Sequence, residues 1–152
     1  MTIHKLLLPF LALFLFSACS NDGPVAGSWI LDGGATSTAI DALFETQMKG
    51  KTGAEAEMGK AVLNGFKEAM KKMRSEIDIA ADGTFKIHND TPGKHEHIDG
   101  KWTLQGNTIT FTGKSEGQDK EETHSGTIDG DVMRVEQSQG GQKMTMVFRR
   151  KK

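Results

Sequence analysis

From Ser75 to Arg149 apolar and polar residues alternate with a period of two, and short clusters of Gly, Asn and Asp interrupt the alternation. This constrains the fold more than any other feature of the chain. Successive side chains of a strand point to opposite faces, so the alternation suits antiparallel strands with one face buried and the other wet. Ile77 and Ile79 alternate before a turn at Ala81-Asp82-Gly83, and Phe85 and Ile87 follow. Asn89–Lys94, with Pro92-Gly93, reads as a loop, and His95–Leu104 as a longer strand with Ile98, Trp102 and Leu104 on one face. Gly106-Asn107 turns the chain into Thr108–Thr112, where Ile109 and Phe111 point one way. Gly113–Lys120 reads as a long hairpin loop or a frayed strand end, and Glu121–Ile128 as a strand running to the two-residue hairpin signal Asp129-Gly130. Met133 and Val135 come next, then a turn at Gly140-Gly141, then Met144, Met146 and Phe148 in alternation. With Ser28–Leu31 this makes about eight strands in a meander, which most easily closes into a barrel. The expected fold class is mainly β: an antiparallel up-and-down barrel.

One stretch breaks the rhythm. Residues 36–74 are rich in Ala, Met, Lys and Glu, and Ile40, Leu43, Phe44 and Met48 fall at helical spacing. After Gly50–Gly53, Thr52 and Glu55 fit a capping box. Met58, Val62, Phe66, Met70 and Met73 then form one apolar stripe, with charged residues opposite. The spacing predicts a helix-turn-helix inserted after the first strand. Gly59 and Gly65 each weaken the second helix by about 1 kcal/mol relative to Ala, so it relies on docking.

The chain opens with a basic tip, an apolar run over Leu6–Phe16, and small residues before Cys19, its single cysteine. The run is too short for a membrane span, which needs roughly 20 residues, and suits the middle of a signal peptide. The segment resembles a bacterial lipoprotein leader, in which residues 1–18 are removed and Cys19 is acylated. The resemblance implies a lipid bilayer anchor at Cys19 and a tether over 19–26. Ser20 after the Cys implies the outer membrane, facing the periplasm. The remainder, 27–152, is of single-domain length. The net charge is -1 with acids and bases interleaved, so no basic block points to nucleic acid. With Cys19 lipidated no thiol remains for a disulfide, a metal site or a nucleophile.

Gly27-Ser28-Trp29 at the head of the first strand resembles the calycin group, which includes lipocalins and fatty-acid-binding proteins. Ala81-Asp82-Gly83-Thr84-Phe85 and Gly100-Lys101-Trp102-Thr103-Leu104 look like small bacterial lipocalin-like lipoproteins. In that group the Trp closes one barrel end beneath a basic side chain from the last strand. Arg149 or Arg150 stands at the matching place, and Arg149 is assigned as the partner of Trp29. Helices after the first strand follow the fatty-acid-binding arrangement.

The expected interior is apolar, and eight-stranded barrels hold either packed side chains or one small ligand. As a pocket, it would be lined by Trp29, Ile79, Phe85, Trp102, Phe111, Met133, Met144 and Met146, with Met lending adaptability. His124 shares the phase of Ile128 and is expected to face inward. His88, His95 and His97 share a strand neighbourhood, and imidazoles so placed can bind zinc or copper. The alternation turns all three outward, so no metal cofactor is assigned. There is no G-x-S-x-G setting, phosphate loop or dinucleotide fingerprint, and no enzyme activity is expected. The leading expectation is an envelope lipoprotein binding a small hydrophobic ligand. A module that binds or inhibits an envelope protein through its hairpins is the alternative, and metal carriage a remote one.

Overall fold

The computed structural model describes residues 25–139 and 142–152. The leader, Cys19 and most of the tether lie outside the described residues, as does the Gly140-Gly141 turn. Eight strands form a closed antiparallel barrel in chain order. They are β1 (Gly27–Leu31), β2 (Arg74–Ile79), β3 (Thr84–Thr91), β4 (Lys94–Gln105), β5 (Thr108–Ser115), β6 (Glu122–Asp129), β7 (Val132–Gln139) and β8 (Gln142–Arg150). Closure comes from β1 pairing with β8, Trp29 opposite Arg150 and Leu31 opposite Phe148. Two helices, α1 (Gly33–Met48) and α2 (Ala54–Lys72), are inserted after β1. Among the described residues no helix is long and apolar enough to cross a membrane.

Alternation sets the inner face. Trp29, Ile77, Ile79, Phe85, Trp102, Ile109, Phe111, Met133, Val135, Met146 and Phe148 are all buried in one core. Burying each such side chain stabilises the fold by about 1.5–3 kcal/mol. The hairpins are tighter than the sequence reading. β3 and β4 run to Thr91 opposite Lys94, so only Pro92-Gly93 turns, with Gly93 at φ 82°. Proline followed by a left-handed Gly suits a tight turn, and pairing continues through residues read as loop. The β6–β7 turn is Gly130-Asp131, one residue later than the Asp129-Gly130 reading, since Asp129 pairs with Val132. β5 extends to Ser115, so the start of Gly113–Lys120 is strand end and the rest is the connection to β6.

The helices depart from expectation in three ways. First, α1 starts at Gly33, because Asp32 caps it by accepting the Ala35 N–H at 2.9 Å. Second, the Thr52–Glu55 capping box does not form: Gly53 is the N-cap of α2, without a side-chain cap, and Glu55 instead pairs with Lys51 at 2.8 Å. Third, the α2 stripe is docked only at its C-terminal half. Met70 is buried and Leu63, Phe66 and Met73 pack on the core, whereas Met58 and Val62 are exposed. Gly59 marks the crossing of the helices, since a Cβ there would stand 2.9 Å from the Met48 sulfur and 3.1 Å from Phe44. The glycine thus exchanges helix propensity for close approach.

Candidate functional site

The two barrel ends differ in chemistry. One is closed. Val25 lies beneath Trp29, whose indole N–H donates to the Val25 carbonyl at 2.9 Å. The Trp102 indole donates to the Ala80 carbonyl at 2.9 Å. The Arg150 guanidinium lies 4.5 Å from the Trp29 ring centroid and donates to the Ala26 carbonyl at 2.8 Å. Arg150 therefore replaces Arg149 as the closing residue. It shares the inward phase of Phe148, while Arg149 points out and pairs with Asp32 at 2.5 Å.

Above this floor the barrel interior forms a cavity of about 430 Å³ beneath the helices, partly open to solvent. Its apolar wall includes Ile77, Phe85, Ile87, Ile98, Phe111, Val135, Met146 and Phe148, and its roof Ile40, Phe66, Met70 and Met73. Of the residues expected to contact a ligand, Phe85, Phe111, Met144 and Met146 line it. Trp29, Ile79, Trp102 and Met133 do not; they are packed in the core. Trp29 and Trp102 fill the closed end, and the open space lies between it and the helices.

Toward the helical end the inward face turns polar. Ser75, Asn89, Thr91, Glu96, Ser115, Glu122, His124 and Gln137 all line the cavity. Ser75 donates to Asn89 at 2.6 Å. His124 lies inward as expected, opposite Phe111 and 3.5 Å from Glu122. The other polar liners share the inward phase without being apolar, so alternation of apolar residues alone does not reveal them. Continuing the count by two from Ile87 reaches Asn89 and Thr91, back from Ile98 reaches Glu96, and on from Val135 reaches Gln137.

The outward histidines do not assemble into one group. His88 is opposite His97, with their Nδ1 atoms 2.7 Å apart, so one ring donates to the other. His95 instead contacts Asp90 at 2.6 Å and holds that carboxyl below the usual carboxylate range. Among the described residues no three His, Cys, Asp or Glu side chains are grouped to hold a metal ion. Comparison with protein-family models and with curated proteins finds no match for this chain.

Proposed function

We propose that this chain is a lipid-anchored protein of the bacterial envelope whose barrel binds a small hydrophobic molecule. The observation that carries the reading is the cavity of about 430 Å³ beneath the two helices. Ligand pockets run from about 300 Å³ upward, apolar with a few placed polar groups, and this interior has that composition. A packed core would leave no such space, which favours ligand binding over an interaction module working through its hairpins. Apolar burial yields about 25 cal/mol per Å², enough for micromolar binding of a modest ligand. The leader and Cys19 support the anchor, through the lipoprotein resemblance. Val25, the first described residue, lies beneath Trp29 at the closed end.

Native mass spectrometry of protein taken from cells should show a bound small molecule. Met144→Trp, which adds bulk at a half-buried lining position, should abolish uptake of an uncharged naphthylamine probe while the protein stays folded. Saturable probe binding that survives the substitution unchanged would argue against the cavity as the site. Cys19→Ser should release the protein from membranes, and persistent attachment would refute acylation.

A further inference from the structure

We infer that the cavity takes an apolar molecule whose polar group is neutral or positively charged, and that it disfavours fatty acids and other anionic amphiphiles. This rests on the ligand-binding reading above and adds the sign of the head group. The cavity makes the site; the charges around it decide which head group it accepts.

Among the described residues that line the cavity there is no Lys or Arg, while Glu96 and Glu122 both contribute carboxylates. An anionic head group entering from water loses hydration, and the protein must replace it with a cation or an array of donors. The neighbouring cations lie off the lining or are held elsewhere. Lys94, at the β3–β4 tip, is 70% exposed and stands 3.7 Å from Glu96, beyond hydrogen-bond distance, so it screens that carboxylate only weakly. On the roof, Lys67 is held by Asp41 at 2.5 Å. Arg150 is committed to Trp29 and the Ala26 carbonyl at the closed end. His124 contacts Glu122, and a carboxylate ligand would compete with that partner.

The two acids sit on β4 and β6, on either side of β5, whose Ser115 also lines the cavity. They are at the polar end, with the Phe85, Phe111 and Phe148 region deeper in. An amphiphile would lay its tail on that floor and bring its head to the two glutamates. An ammonium donates up to three hydrogen bonds and accepts none, so it matches carboxylate and hydroxyl oxygens. A hydroxyl can use Ser115 or Asn89. A carboxylate head meets Glu96, 30% exposed, and the more solvent-screened Glu122, 60% exposed, and finds no Lys or Arg on the lining to replace its lost hydration.

The test is competition on the purified full-length protein, using N-phenyl-1-naphthylamine as the uncharged probe. Decylamine, decanol and sodium decanoate, which share one tail, compete below their micelle concentrations at about pH 7. Decylamine should displace the probe at a concentration roughly tenfold lower than decanoate, with decanol between them. Added salt should narrow the amine–carboxylate gap and leave decanol unchanged. Glu96→Gln with Glu122→Gln should bring amine and carboxylate within about threefold. Decanoate matching or beating decylamine overturns the inference and leaves ligand binding intact. A gap unmoved by the double substitution also overturns it. If the probe shows no saturable binding, both readings fall.

Discussion

Thr36 Oγ1 accepts the Val147 N–H at 2.9 Å, and so does for β8 what β1 ceases to do after Leu31. Val147 lies one residue beyond the last β1–β8 pair, Leu31 opposite Phe148. Its carbonyl accepts the Asp32 N–H at 2.8 Å and its N–H is met by a side chain, so the first turn of α1 completes the barrel seam. Thr36 is 1% exposed, where an unmade hydrogen bond is costly. Thr36→Val keeps the shape and orphans that N–H, and should cost about 1–3 kcal/mol in urea unfolding. Thr36→Ser should retain most of the stability; equal losses for the two would show that the hydroxyl is not the cause.

Arg150 and Arg149 are adjacent but face opposite ways, which separates their roles. Arg150→Ala removes the cation from the Trp29 face and should lower stability by about 0.5–2 kcal/mol, with a change in near-ultraviolet circular dichroism. Arg149→Ala leaves the Trp29 signal as it is, because that guanidinium reaches Asp32 outside the barrel. A Trp29 signal indifferent to Arg150→Ala would contradict the 4.5 Å contact.

The Ala35 N–H, and then Arg149, hold the Asp32 carboxyl below its ordinary value. A folded-state pKa lower than the unfolded one contributes stability above the unfolded value, near about 3.9, and loses it as pH falls through the lowered folded value. Asp32→Ala should therefore cost about 0.5–2 kcal/mol at neutral pH, and the deficit should shrink below about pH 4 as the wild-type carboxyl protonates. Asp32→Asn, which keeps a cap acceptor, should lose less. Denaturant midpoints for the three proteins at both pH values would decide this.

Two glycines should respond to alanine with opposite signs. Gly100 faces Gly113 across β4–β5, and a Cβ on it would stand 2.6 Å from the Gly113 Cα and 2.7 Å from Phe85 Cε1. Gly100→Ala should destabilise by about 1–3 kcal/mol through overpacking. Gly65, inside α2, has open space where its Cβ would be, so Gly65→Ala should raise stability by about 1 kcal/mol through helix propensity. Thermal unfolding of the pair reads both.

Much of the architecture was legible in the primary structure, because it follows from local rules. Period-two alternation is a property of the strand itself, so the inward set from Ile77 to Phe148 and the number of strands could be read residue by residue. The switch to helical spacing between Ile40 and Met73 marked the insertion for the same reason. Spacing also shows that α2 has an apolar stripe, but not how far along it the barrel reaches. Met58 and Val62 carry the same signal as Met70 and remain exposed. The choice of Arg150 over Arg149 follows from the phase of Phe148, two residues before Arg150; the resemblance by itself fits either arginine.

The candidate site was only half legible. Its apolar floor obeys the alternation, but Glu96, Glu122 and Gln137 look like ordinary polar strand ends until the barrel closes and turns them inward. Alternation and turn residues in the sequence alone determined a meander of strands interrupted by two helices, because each depends on neighbours within a few residues. Whether that meander would be filled or hollow, and what charge would ring the hollow, was decided only in three dimensions. Side chains from seven strands, β2 to β8, must meet around one space before either property exists.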